Sequence, residues 1–102
     1  MADHTWSPEF LRRIRAGVDV PRITEADRDL LAGLDDGQQL RVDAATEAEW
    51  KAFKAATDAL GEATERGEQT PEQYAALIRA DRLLSLAMAR AAREMMEAGD
   101  GH

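Results

Sequence analysis

The sequence predicts an all-α protein in which two short N-terminal helices pack on a long antiparallel C-terminal helical hairpin. Three observations favour this class. Apolar residues recur at three- and four-residue steps through most of the chain, which is the spacing of one helical face. Cap residues followed by proline or glutamine mark several helix starts. The length of 102 residues suits one domain, so we predict four helices in a single domain spanning 1–102.

Two short helices are predicted in the N-terminal third of the chain. Ser7 precedes Pro8, and serine at the N-cap with proline at the first helical position is a typical helix start. We therefore place the first helix at about 8–16. Thr24 is the same kind of cap, and the second helix is predicted at about 25–34. Each helix carries apolar residues along one face, so both must pack against the rest of the chain.

The stretch after the second helix is predicted to be non-helical. Residues 35–37 read Asp-Asp-Gly, a sequence typical of a turn. Residues 38–43 then alternate weakly between polar and apolar types around Leu40 and Val42. Because one short strand is not stable alone, we predict an extended segment laid against the helices.

Two long helices are predicted in the C-terminal two thirds. Thr46 and Glu49 have the spacing of a capping box, and the third helix is predicted at about 47–66. Thr70 begins a second box that also has proline at the first helical position, and the fourth helix is predicted at about 71–97. The connection between them is short, which favours an antiparallel hairpin.

The middle of the fourth helix is apolar around most of its circumference. Leu84 belongs to the main apolar seam, whereas Leu86 points away from it. A helix with this pattern is buried on several sides, so the first two helices or a second copy of the chain must cover it. Asp81 interrupts the seam, and we expect a salt bridge from it to Arg15 or Arg79.

Charge and composition restrict the class of partner. The net charge is −7, and residues 35–70, with 4 basic and 9 acidic side chains, carry −5 of it. An acidic surface repels phosphate backbones, so nucleic-acid and anionic-membrane binding are disfavoured. No apolar run approaches the ~18 residues of a membrane span. We therefore expect no membrane association.

Cysteine usage and the N-terminal sequence predict a cytoplasmic location. The chain has no cysteine, which removes disulfides and thiolate chemistry, and its N-terminus lacks a signal-peptide pattern. The termini, 1–5 and 99–102, are predicted to be loose. Abundant alanine and arginine with little lysine indicate a high-GC bacterium, such as an actinobacterium, or its phage.

The residues needed for catalysis do not occur in a usable pattern. His4 and His102 stand at opposite ends of the chain, so neither a metal site nor a general base on the body of the fold is expected. Ser7 and Ser85 therefore lack a partner base. The glycines occur singly, which excludes a glycine-rich phosphate loop. We predict a protein that is not an enzyme and uses no cofactor or metal.

The function predicted is that of a small acidic regulatory or adaptor protein that binds another protein, such as a phage or actinobacterial inhibitor of a host protein. An apolar helix face is a common docking surface, and methionine adapts to irregular partners. The predicted protein-binding residues are surplus apolar side chains of the fourth helix: Leu83, Leu86, Met95 and Met96. The alternatives are a homodimer through this helix, or that these residues belong to the core.

A DNA-associated transcriptional regulator is the alternative function. The N-terminal helices and their connection carry a basic cluster, which we predict as a secondary basic contact: Arg12, Arg13, Arg15 and Arg22. The connection between these helices is longer than the three to four residues of a helix-turn-helix. The second helix is also acidic where a recognition helix is basic or polar. Nucleic acid is therefore the less favoured partner.

Overall fold

Five helices build the part of the chain that the computed structural model describes, residues 6–99. The all-α class is confirmed, and no strand occurs in this range. The predicted number of four helices is wrong by one. The termini predicted to be loose lie outside the described residues, apart from Gly99. The helices are α1 (Pro8–Gly17), α2 (Glu25–Ala32), α3 (Asp36–Ala45), α4 (Glu47–Glu65) and α5 (Pro71–Glu97).

α5 is the central element, and each of the other four helices packs against it. α4 and α5 form the predicted hairpin. Glu49, near the start of α4, lines a cleft with Ala87 and Arg90 from the second half of α5, as an antiparallel arrangement requires. The molecule is elongated, with extents of 54 × 25 × 24 Å, because the length of α5 sets its long axis.

α1 is fixed on the first half of α5 by aromatic contacts and by a close approach of the two helices. The ring centroid of Trp6 lies 5.2 Å from that of Phe10 and 4.7 Å from that of Tyr74 on α5. At the end of α1, a Cβ added to Gly17 would lie 2.7 Å from the Cβ of Ala75. Glycine is therefore the residue that allows the helices to meet without a shift.

α3 replaces the extended segment predicted at 38–43, and that prediction is wrong. Asp35 caps this helix: its Oδ1 accepts from the Gln38 amide at 2.8 Å, and the Gln38 side chain accepts from the Asp35 amide at 3.0 Å. Gln38 and Val42, one turn apart, are buried, whereas Leu40 is 70% exposed. The alternating pattern misleads because the polar Gln38 lies on the buried face of α3 and the apolar Leu40 lies on its exposed face.

α3 and α4 meet at Thr46, where the predicted capping box with Glu49 is wrong. The Thr46 hydroxyl donates to the carbonyl oxygen of Val42 at 2.8 Å and makes no side-chain cap to α4. The Trp50 amide donates to the Thr46 carbonyl at 3.0 Å. Thr46 is 2% exposed, so its hydroxyl is satisfied within the preceding helix instead of at the start of the next one.

The turn between α4 and α5 has a defined hydrogen-bonding pattern. Gly67 adopts φ +67°, and its amide donates to the Thr64 carbonyl at 3.0 Å while the next amide donates to the Ala63 carbonyl at 2.8 Å. These are the two bonds of a Schellman motif, which favours glycine at its left-handed position. α5 then begins at the predicted capping box of Thr70 and Gln73, which is confirmed.

The core lies along α5 and is small. Leu84 is 4% exposed, which confirms its place in the apolar seam. The prediction that Asp81 interrupts this seam is wrong, because Asp81 is exposed, and Arg79 pairs instead with Asp19 at 2.9 Å. Within residues 6–99, no helix has both the length and the apolar composition needed to span a bilayer. The buried apolar side chains are Ile14, Val20, Val42, Ala63, Ala75, Leu84, Ala89 and Ala92.

Candidate protein-binding surface

Two of the predicted binding residues, Leu83 and Leu86, share one cleft on α5. They form its wall together with Ala87, and Glu49 of α4 and Arg90 of α5 complete the lining. The four α5 residues are spaced at i, i+3, i+4 and i+7, so they lie on one face of the helix. We call Leu83, Leu86 and Ala87 the α5 strip. The cleft has a volume of about 280 Å³ and carries one charge of each sign at its border.

The α5 strip faces away from the core because of the helical rotation between neighbouring residues. Successive side chains in a helix are about 100° apart. Leu84 is 4% exposed, whereas Leu83 is 37% exposed and Leu86 is half-buried. The interpretation of Leu83 as a core residue is therefore disfavoured, and Leu86 lies at the boundary between core and surface. Trp50, next to Glu49 along α4, is also 39% exposed.

The two predicted binding methionines lie on other parts of α5. Met95 is half-buried and lines a larger cavity of about 640 Å³ between α5 and α3, together with Arg41 and Val42. Met96 is 39% exposed, but it follows Leu83 by thirteen positions, which corresponds to roughly 220° around the helix. The structure therefore brings Leu83 and Leu86 together and places neither methionine with them.

The predicted basic cluster does not form one surface. Arg13 makes an ion pair with Glu72 of α5, with Nε 3.0 Å from Oε2. A hydrogen bond from the Glu72 backbone amide and the Arg13 guanidinium both lower the pKa of Glu72. Arg12 and Arg15 are exposed and make no ion pair with another described residue. Arg22 lies in a different cleft, beside residues of α2 and α5.

The helix that a DNA-binding interpretation would place in the major groove is acidic in its first turn. Glu25 and Asp27 occupy that turn of α2, and Asp27 accepts a hydrogen bond from Arg93 Nη1 at 2.6 Å. α2 is therefore held against α5 by the Asp27 carboxylate, and the exposed Glu25 in the same turn would repel a phosphate backbone. Arg13, in addition, is already partly neutralised.

Groups that could support metal-dependent or nucleophilic chemistry are not assembled in the part of the chain that the structure describes. No set of three or more histidine, aspartate or glutamate side chains there could hold a metal ion. Both histidines, His4 and His102, lie outside residues 6–99. Ser85 lines the same cleft as Arg22, and residues 6–99 contain no histidine to act as its base.

Two features of the surface escaped the sequence-based predictions. Leu40 is the most exposed large apolar side chain in residues 6–99, and the helical periodicity of α3 would have placed it opposite Val42. Arg28 and Arg82 join Arg22 in one cleft, although these residues are 6 and 60 positions from Arg22. The sequence carries no local signal for a contact across that distance.

Together these features define an all-α protein of five helices arranged on a central helix, with an apolar cleft between the hairpin helices. Comparison of the chain with protein-family models, with curated proteins and with solved structures finds no match.

Proposed function

We propose that the protein is a small non-enzymatic regulatory or adaptor protein that binds another protein through the α5 strip. The observation that carries the proposal is the exposure of Leu83, which is 37% against 4% for the neighbouring Leu84. Leu83 and the half-buried Leu86 leave apolar area in water at the edge of the hairpin, and covering that area is favourable by about 25 cal/mol per Å². A partner protein supplies the cover.

The shape and charge of the cleft favour an amphipathic helix as the docking element. From Leu83 to Arg90 the lining runs over two turns, roughly 10 Å of helix, which matches the i, i+3, i+4, i+7 anchors of helix-in-groove recognition. Glu49 and Arg90 at the border provide one anionic and one cationic contact. A partner helix with an apolar face and charges of both signs at its edges would complement this border.

The size of a stable interface indicates that contacts extend beyond the cleft. Specific complexes bury about 1,200–2,000 Å² in total, which is more than three side chains supply. Trp50 is the nearest large side chain along α4 to Glu49, and it is 39% exposed. Its ring centroid lies 6.2 Å from that of Phe53, in an edge-on arrangement. Tryptophan is enriched among residues that dominate binding energy. We therefore expect the partner to cover Trp50 as well.

Site-specific photo-crosslinking tests the proposal with a matched control. A photoreactive amino acid replaces Leu83 in one variant and Leu40 in the other, and both are expressed in the organism that encodes the chain. Leu40 is the more exposed leucine at 70%, so exposure alone would give more crosslinking from position 40 than from position 83. We expect a discrete adduct from position 83 and none from position 40. An adduct of twice the chain's mass would identify a second copy as the partner.

Binding to the purified partner then gives a quantitative test. Leu83→Asp should weaken the affinity at least tenfold because it places a carboxylate in an apolar contact, and Leu40→Asp should leave the affinity unchanged. Both variants should retain the wild-type far-ultraviolet circular dichroism. Equal effects of the two substitutions, or equal crosslinking from both positions, would refute the role of the α5 strip.

A further inference from the structure

A second concave site lies where the connection between α1 and α2 meets α5. Its volume is about 440 Å³, within the range of small-molecule sites, which begins near 300 Å³. We call it the arginine cleft. The residues that matter for its chemistry are Arg22, Ile23, Arg28, Ile78, Asp81 and Arg82.

The connection that carries Arg22 is held on α5 at two successive points. Arg79 donates to Asp19 Oδ1 at 2.9 Å, and Arg82 Nη1 donates to the Val20 carbonyl at 3.0 Å. The Val20 side chain is 8% exposed. The backbone leading to Arg22 is therefore anchored, and the Arg82 guanidinium is oriented at the edge of the cleft. The fixed backbone and the oriented Arg82 reduce the entropy that is lost when a ligand binds.

The arginine cleft is locally cationic in an acidic protein. Three guanidinium groups and one carboxylate line it, which gives a local charge of +2 against −7 for the whole chain. The neighbouring carboxylates of Asp19 and Asp27 are already held by Arg79 and Arg93. The guanidinium groups of Arg22 and Arg28 make no ion pair or hydrogen bond within residues 6–99. Two cations are thus left available in a concave site.

The lining also selects the chemical class of ligand. A guanidinium presents paired donors that match a carboxylate or a phosphate. Ile23 and Ile78, both half-buried, add an apolar wall, and the volume exceeds that of an inorganic ion. Asp81 is exposed at the same cleft and disfavours a polyanion such as a nucleic-acid backbone. We infer that the arginine cleft binds a small organic oxyanion, a carboxylate or phosphate group carried on an apolar body.

Nuclear magnetic resonance titration tests this inference at constant ionic strength, so that screening does not vary. The probes are phenyl phosphate and phenylacetate, and the observed signals are the methyl groups of Ile23 and Ile78. We expect saturable shifts with at least one probe. Saturation with phenyl phosphate alone identifies a phosphate site, saturation with phenylacetate alone a carboxylate site, and both results support the inference. Inorganic phosphate should bind more weakly than phenyl phosphate, because it does not contact the apolar wall.

Matched substitutions separate a site from a general charge effect. Arg28→Gln should weaken the affinity about tenfold or more, since charge-assisted hydrogen bonds are lost. Arg12→Gln makes the same change of charge at an exposed position on α1 and should leave the affinity unchanged. Asp81→Asn should strengthen binding severalfold by removing the one carboxylate.

Two results would overturn the inference. One is no saturation with either probe in a folded protein. The other is an equal loss of affinity in Arg12→Gln and Arg28→Gln, which would mean that net charge alone attracts the probes. The arginine cleft and the α5 strip share no lining residue, so Leu83→Ala, which adds no charge beside Arg82, should not change this titration, and the two proposals fail or succeed independently.

Discussion

Replacing Gly17 by alanine tests the closest approach between α1 and α5. The added Cβ would lie 2.7 Å from the Cβ of Ala75, whereas carbon atoms in favourable contact are about 3.5–4.0 Å apart. Ala75 is 3% exposed and has no rotatable side chain, so α1 itself must move. Overpacking of this kind costs about 1–3 kcal/mol, and alanine recovers at most ~1 kcal/mol of helix propensity. Because Gly17 is the last residue of α1, little of that propensity is recovered there, and we expect a net loss of about 1–2 kcal/mol in the free energy of unfolding.

Gly61→Ala provides the matched control for this measurement. Gly61 lies inside α4, and a Cβ there would meet nothing within 4 Å. The same substitution should therefore stabilise the protein by about 0.5–1 kcal/mol. Urea unfolding gives both free energies. A Gly17→Ala variant as stable as the wild type would refute the close approach. Adding Ala75→Gly to Gly17→Ala should cost less than the same change in the wild type, because the two positions are in contact.

Three further predictions concern a helix cap, an ion pair and the core. Asp35→Ala should lower stability by about 1 kcal/mol because it removes the side-chain cap of α3, while Asp36→Ala, which removes no cap, should cost less; urea unfolding compares them. The hydrogen bond from Arg79 is the main cause that lowers the pKa of Asp19, so Arg79→Gln should raise that pKa, as measured by nuclear magnetic resonance. The ion pair of Asp19 with Arg79 stabilises the protein at a pH above the ordinary pKa of aspartate, and this stabilisation is lost as the pH falls through the lowered pKa of Asp19. Leu84→Asp should unfold the protein, seen by circular dichroism, because it buries a charge without a partner.

Elements with strong local signals could be predicted from the sequence. The serine–proline start of α1 and the threonine caps of α2 and α5 satisfy backbone amides within three residues, and such interactions depend on local sequence. α3 could not be recognised in this way. Asp35 and Gln38 form a capping box as good as that of α5, but the adjoining glycine, Gly37, favoured a turn. Leu40 and Val42 also alternate with polar residues, as in a strand, but packing buries Val42 and leaves Leu40 exposed.

The surface sites were predictable only in part, because they depend on how distant segments meet. Leu83 and Leu86 are close in sequence, so the helical period was enough to group them. The distribution of methionines along α5 suggested one surface, but rotation around the helix separates Met96 from Leu83. The arginine cleft combines a connecting segment with two helices, and only the packed fold shows that Arg22 and Arg82 are neighbours.

The central position of α5 has a consequence for synthesis of the chain. α1 is made early, yet the part of α5 on which it packs comes much later, and Ala75 follows Gly17 by 58 positions. At roughly 5–20 residues per second, translating that stretch takes about 3–12 s. A ten-residue helix is marginal alone, so the apolar side of α1, including Ile14, remains open to water and to chaperones during this interval. The nascent chain should therefore bind chaperones through the very residues that α5 later covers.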